Sequence, residues 1–181
     1  IGSNDGTFLK NFVNDENKII GFEPSKNVAD IALKNKVPTI NKFFNKNSVE
    51  NLSEYIKKTD LICASNVICH VPNLNELIES VDMLLKDDGT FIFEEPYLGS
   101  MFEKISYDQI YDEHIYMFSA SSISKIFEKF NFKLVDILPQ LTHGGSMRYV
   151  VKRSKNETLY SVKKIIDFER SKNLDKVDSC L

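Results

Sequence analysis

Tryptophan is absent from this 181-residue chain, and cysteine and histidine occur three times each. Each scarcity excludes something. Cys63, Cys69 and Cys180 have no C-x-x-C spacing. With no secretory signal they read as reduced thiols, neither a disulfide frame nor a zinc knot. Cys69 adjoins His70, but one such neighbour pair is thin ground for a nucleophile. No apolar run approaches the ~18 residues that cross a bilayer, and no charged segment leads into an apolar one as in an export signal. The 23 basic and 26 acidic residues are scattered, net −3, without the basic stripe of a nucleic-acid surface. No His, Asp and Glu spacing suggests a metal site. A cytoplasmic domain with a small-molecule partner is expected, and 42% hydrophobic residues suffice for one full core.

What is present begins at the first residue. Ile1-Gly2-Ser3-Asn4-Asp5-Gly6 reads as a strand end and a glycine turn, with Thr7–Phe12 opening a helix. The apolar run Ile19–Phe22 then ends in Glu23 and breaks at Pro24. A glycine turn on one strand and an acid at the tip of the next is how doubly wound sheets hold a nucleoside, the carboxylate accepting ribose hydroxyls. A dinucleotide wants G-x-G-x-x-G and rests its pyrophosphate on a helix N-terminus. Here Asn4 stands at the middle glycine and Asp5 puts a carboxylate in the turn. S-adenosylmethionine carries an ammonium and a sulfonium and no phosphate, so it suits an acidic turn better than NAD. Asp5 as a plain helix cap is the alternative. The candidate cofactor set is Gly2, Ser3, Asn4, Asp5, Gly6, Glu23 and Pro24, with Ser65 and Asn66 at a later strand end.

The remaining pattern alternates strands and helices. Ser25 caps a helix with Val28, Ile31, Ala32 and Leu33 at helical spacing, Val37–Ile40 is a short strand, and Ser48–Lys58 a weaker helix. Leu61–Ala64 reads as a buried parallel strand. Asn73–Lys86 is a strong helix, turned by Asp87-Asp88-Gly89 into the strand Thr90–Phe93. This rhythm implies right-handed crossovers and a parallel sheet. After Pro96 the pattern changes. Tyr107–Tyr116 reads as a polar, aromatic helix and Ser119–Phe130 as an amphipathic one. Phe132–Leu138 and Met147–Lys152 leave no room for a crossover, so they form an antiparallel hairpin through Gly144-Gly145. The expected fold is α/β and Rossmann-like, a mostly parallel sheet ending in an antiparallel hairpin.

Several residues could do chemistry. His70 follows a parallel strand, where open sheets place ligands; otherwise it fills a loop. On a helix, Tyr107, Tyr111 and His114 share one face. An imidazole there can remove a proton while a phenol donates to the oxygen that becomes negative; an ordinary surface helix is equally compatible. His143, Gly144, Gly145 and Arg148 are a hairpin turn or, with the guanidinium fork, a diphosphate site. Glu94, Glu95 and Tyr97 either line the pocket or lie in solvent.

Taken together, these segments resemble the S-adenosylmethionine-dependent C-methyltransferases of nucleotide-linked deoxysugars. The stretches are IGSNDGTFL (Ile1–Leu9), GFEPSKNV (Gly21–Val28), NVICHVPN (Asn66–Asn73), FEEPYLG (Phe93–Gly99), YDQIYDEH (Tyr107–His114), Phe118-Ser119 and THGGSMRY (Thr142–Tyr149). They are similar to the 3-C-methyltransferases of dTDP-4-keto-6-deoxysugars. The resemblance implies the class I methyltransferase fold, with Gly2, Asn4, Gly6 and Glu23 holding the cofactor. It also implies His114 as general base, with Tyr111 and Glu113 beside it and His70 as a further active-site residue. Tyr97, His143, Gly144, Gly145 and Arg148 are then substrate candidates. No metal is implied in this segment; a zinc belongs to a preceding domain in that family. The first residue is not Met and the motif lacks its leading strand, so a fragment is expected. Residues 1–153 would be the methyltransferase domain and 154–181 a helical linker toward a further domain. An O- or N-methyltransferase on the same fold, or a cofactor-binding piece without turnover, are the alternatives.

Overall fold

A computed structural model describes residues 1–14 and 16–176; Cys180 and the end of the expected linker lie outside them. Two β-layers are built. The smaller is a parallel ribbon of β1 (Gly21–Phe22) and β2 (Thr39–Ile40). The larger contains β3 (Thr59–Ser65), β4 (Leu85–Pro96), β5 (Phe132–Gln140) and β6 (Ser146–Arg153), in the order β3-β4-β6-β5. The helices are α1 (Lys26–Lys34), α2 (Lys46–Val49), α3 (Leu74–Leu84), α4 (Leu98–Lys104), α5 (Ala120–Glu128) and α6 (Tyr160–Ser171).

The hairpin is antiparallel as its short connection requires, but the larger sheet is mixed. β4 runs parallel to β3 on one side and antiparallel to β6 on the other, because β6 inserts between β4 and β5. Between the two layers lies the start of the chain. The Ile1 nitrogen donates to the Cys63 carbonyl at 2.7 Å, and the Ser3 amide to the Phe22 carbonyl at 3.0 Å.

The core is aromatic where β4, β6 and α5 meet. Phe93 stacks on Tyr149 at 5.0 Å and on Phe127 at 5.5 Å between ring centres. Such offset pairs add about 0.5–1.5 kcal/mol each beyond the area they bury. The helical spacing of α3 puts Leu77, Ile78, Val81 and Leu84 inward, and α5 starts on a reciprocal cap between Ser119 and Ser122.

Six local expectations give way. Tyr107–Tyr116 forms only a short 3₁₀ turn at Tyr107–Gln109 followed by irregular chain, so Tyr107, Tyr111 and His114 do not share a helical face. With Tyr107 58% and Ile110 62% exposed, no buried stripe offsets helix nucleation there. Thr7–Phe12 likewise yields a 3₁₀ turn at Leu9–Phe12, and Ser48–Lys58 keeps only the end of α2 before breaking into turns. α1 buries Ala29 and Ala32 and leaves Ile31 and Leu33 exposed, since its small residues allow the close approach. β3 is covered on one face alone: Ile62 and Ala64 are buried and Leu61 is exposed. Finally, Asp87-Asp88-Gly89 is an irregularity within β4, the register passing from Thr59 opposite Leu85 to Leu61 opposite Thr90.

Candidate active site

The opening turn takes its shape from two glycines with φ of +60° and +81°, Gly2 and Gly6. A Cβ on Gly2 would meet Val67 Cγ2 at 2.4 Å, and one on Gly6 would meet Val37 Cγ2 at 2.9 Å, so strain and space both require glycine. Asn4 between them is also left-handed, at φ 50°, a conformation Asn tolerates better than most residues. This aims the Asn4 amide at Glu23 Oε2, 3.1 Å away, while the Ser25 amide donates to Oε1 at 2.8 Å. Glu23 is buried, held at the tip of β1 with further lone pairs on both oxygens. Asn41 fixes that tip from behind, its Nδ2 donating to the carbonyls of Glu23 and Pro24 at 2.9 and 2.8 Å. Asp5 closes a local turn and does not cap the 3₁₀ turn, which follows Phe8 without a side-chain cap: its carboxylate accepts the Thr7 amide at 3.0 Å, and hydrogen bonds from Thr7 hold its carboxyl below the usual range.

The second wall follows β3. Asn66 is left-handed, at φ 52°, and its amide donates to the Glu94 carbonyl at 2.8 Å. Its side chain meets the His143 ring at 3.2 Å, and its Oδ1 is buried without a partner. Ser65 ends β3, exposed, beside it. The next turn is organised by Glu95, wholly buried, whose carboxylate accepts the amides of Val67, Ile68 and Cys69 at 3.1, 2.7 and 3.3 Å. This places His70. The imidazole Nδ1 of His70 lies 2.6 Å from the Glu113 carbonyl, which can only accept, so Nδ1 carries the proton.

His114 stands beside it, ring centres 5.1 Å apart. Its Nδ1 is 2.8 Å from the Gln109 carbonyl and therefore also bears hydrogen, which leaves the Nε2 lone pair for the Tyr111 hydroxyl at 2.8 Å. The helix that would have paired Tyr111 with His114 does not form, yet a turn of irregular chain joins them. Glu113 takes part through its carbonyl, and its side chain is exposed.

On the substrate side the placements differ from expectation. Arg148 donates through Nε and Nη2 to Glu94 Oε2, at 3.2 and 2.8 Å, so this side of its fork is engaged with a carboxylate. Tyr97 is buried, and its hydroxyl donates to Glu169 of α6 at 3.0 Å. Burial and that carboxylate push the phenol well above its ordinary pKa. Only the body of Tyr97, with His143, Gly144 and Gly145, lines a tight crevice next to Ser106 and Gln109, without room for a water molecule. Gly145 closes it against Ser100, while Lys104 holds the Gly144 carbonyl.

Sequence reasoning missed Gln109 and Asn41, and it offered Glu95 only as a pocket-lining or solvated acid, not as the anchor of the His70 turn. An acid inside the run TFIFEEP was the one available signal, since a Glu within a buried strand needs donors nearby. Glu95→Gln should cost roughly 1–3 kcal/mol, because an amide nitrogen would face a backbone donor. Urea unfolding measures this, and an unchanged midpoint would remove Glu95 from the support of the His70 turn.

The residues fit an S-adenosyl group. The glycines let the turn pack close on Val67 and Val37, Glu23 keeps acceptor capacity for ribose hydroxyls, and the orphaned Asn66 Oδ1 can accept from an ammonium. A pyrophosphate finds a carboxylate in the turn and a four-residue 3₁₀ turn in place of a helix dipole.

Comparison with known proteins agrees. The methyltransferase domain family matches residues 1–137. A C-methyltransferase, NovU of Streptomyces niveus, is 31% identical over 146 residues, covering 81% of this chain. The chain spans 35% of that relative's length. A Thermotoga maritima structure, described as a SAM-dependent methyltransferase and possible histamine N-methyltransferase, superposes with TM-score 0.60 at 21% identity, over 86% of this chain and 80% of its own. One from Aquifex aeolicus, a SAM-dependent methyltransferase, gives TM-score 0.63 at 12% identity, over 83% and 78%. At such identities these likenesses show the fold, which is the α/β class I methyltransferase fold. The chain belongs to the methyltransferase domain family, and its cofactor is S-adenosylmethionine.

Proposed function

We propose that this domain methylates a carbon next to the ketone of a nucleotide-linked 4-keto-deoxysugar, in the cytoplasm, as part of a longer enzyme. We take residues 1–153 as its methyltransferase domain and the following helix as a link to further chain. The observation that carries this reading is the hydrogen-bond chain from the Gln109 carbonyl through His114 to the Tyr111 hydroxyl. It gives one imidazole nitrogen a lone pair and sets a phenol beside it, which is what a carbon acid needs and what O- or N-transfer to a good nucleophile does not. The 31% identity to a protein named as a C-methyltransferase points the same way.

When bound, the cofactor supplies an electrophilic methyl on a cationic sulfur. Gly2, Asn4, Gly6, Glu23 and Asn66 hold it. His114 Nε2 takes the proton from the carbon beside the ketone, and the C–H electrons pass into an enolate. For this the Tyr111 hydroxyl first turns from Nε2 toward the ketone oxygen, which frees the lone pair for the carbon's proton and sets the phenolic hydrogen on the oxygen that becomes the enolate's. His70, its Nδ1 tied to Glu113, presents its other nitrogen to the same space. His143 and the Gly144-Gly145 turn border the sugar. The crevice there has no room for a ligand, against ~300–1,000 Å³ in ordinary pockets, so the nucleotide would be enclosed by further chain.

Product analysis tests the substrate class. Full-length protein, a dTDP-4-keto-6-deoxysugar and methyl-¹³C cofactor should yield a label bonded to carbon that survives acid hydrolysis of the sugar. An acid-labile O-methyl product, or no transfer to any keto-sugar, would sink the reading.

A further inference from the structure

We propose that Cys69, His70 and His114 form a binding site for a borderline-soft divalent cation, with Zn²⁺ as the ion their chemistry selects. The sulfur of Cys69 and one ring nitrogen from each imidazole lie within 4.8 Å of one another. In a tetrahedral zinc site, bonds of about 2.0–2.3 Å set ligand atoms about 3.3–3.8 Å apart. Closing the difference takes roughly 1 Å of side-chain rotation. Nothing in the spacing betrays this group: Cys69 and His70 adjoin, His114 lies 44 residues on from His70, and they meet because the Glu95-bound turn receives the Ile115 amide on the Cys69 carbonyl at 2.9 Å.

A separate observation concerns the outer partners. Each imidazole donates Nδ1–H to a main-chain carbonyl, His70 to Glu113 and His114 to Gln109. Metal-bound histidines carry this outer bond, which fixes the tautomer and turns the other nitrogen toward the ion. Here both Nε2 atoms hold lone pairs, one lent to the Tyr111 hydroxyl, which must turn aside.

The ligand types, one thiol and two imidazoles, favour Zn²⁺ over Mg²⁺ or Ca²⁺. Binding replaces the thiol proton, which leaves to solvent, with a sulfur–metal bond. Burial and Glu95 hold the free thiol protonated, and an adjacent dication reverses that preference. The Glu95 carboxylate, already against Cys69, offsets the added positive charge. Three protein ligands leave a fourth position to water. An ion so placed takes the lone pair of His114, so on the reading of His114 as base it also stops methyl transfer.

Co²⁺ titration of chelator-treated full-length protein tests the site. The expected result is a thiolate-to-cobalt absorption that saturates at one equivalent, disappears in Cys69→Ser and is displaced by Zn²⁺. A zinc held elsewhere in the longer protein appears in both proteins and cancels in the difference. His70→Asn should weaken binding by at least ~10–100-fold, the loss typical of disturbing even an outer partner. Identical spectra for the parent and Cys69→Ser overturn the proposal; if that variant misfolds, unchanged affinity in His70→Asn does so instead. Binding that leaves methyl transfer intact supports the site and removes His114 from the reaction.

Discussion

His114→Asn in the full-length protein lowers turnover by about 10²–10⁴-fold, the usual contribution of a positioned general base, and leaves S-adenosylmethionine affinity unchanged. The substitution is chosen for its geometry. An asparagine amide can still donate to the Gln109 carbonyl, which lies 2.8 Å from Nδ1, so the local chain keeps its anchor. What disappears is the basic lone pair at Nε2, and with it the partner of the Tyr111 hydroxyl. The cofactor residues belong to other segments, the opening turn, the tip of β1 and the end of β3, and have no contact with His114 among the hydrogen bonds described. Rate and affinity should therefore separate. Isothermal titration with S-adenosylhomocysteine and initial rates on the keto-sugar measure the two quantities. Turnover close to the parent would exclude His114 as the base, and a parallel loss of affinity would make its role structural.

The second large effect is on stability. Glu169 on α6 is wholly buried, yet its carboxylate accepts the amides of Ala120 and Ser121 at 2.7 and 2.9 Å, together with the hydroxyls of Ser121 and Tyr97. One side chain thus caps the start of α5, positions Tyr97 and fastens α6. Glu169→Ala leaves four donors without a partner in the interior. Each buried unsatisfied group costs about 1–3 kcal/mol, and partial relaxation or water entry lowers the sum. A net loss of roughly 3–5 kcal/mol is expected, comparable to breaking a buried ion pair. For a chain of this size that is about 6–20 °C in melting temperature. Hydrogen exchange gives a sharper test: the Ala120 and Ser121 amides should lose protection in the variant. Retained protection would show that Glu169 does not support the start of α5.

Much of this arrangement was legible before any coordinates. The α3 spacing, the Ser119 cap and the lack of room for a crossover between β5 and β6 are local signals with one physical reading each. Gly2, Gly6 and Glu23 were legible because a left-handed turn and a strand-tip acid are demands on particular residue types. The Tyr107–Tyr116 helix was misread because its periodicity is real while its buried stripe is not. The contact between Tyr111 and His114 survives for a different reason, a turn closed by the Gln109 carbonyl. The ion pair of Arg148 with Glu94 was not foreseen because that partner is 54 residues away and is brought beside it by the pairing of β4 and β6. The donors around Glu95, the role of Glu169 and the grouping of Cys69 with His70 and His114 were hidden for the same reason. Each depends on which distant backbone a side chain meets, and one-dimensional spacing carries no such information.

The neighbouring acids of β4 extend this to the whole cavity. Glu94 faces the hairpin, gripping Thr142 and Arg148, and Glu95 faces the histidine turn. Side chains on a strand alternate, so the two banks of the cleft hang from consecutive positions of one ribbon and share its alignment. Sliding β4 by a single residue would exchange the carboxylates and unmoor both banks at once. The spacing of the hairpin and the histidine turn is therefore kept by a backbone ruler two residues long, and a change that shifts β4 would disturb both without touching a residue of either.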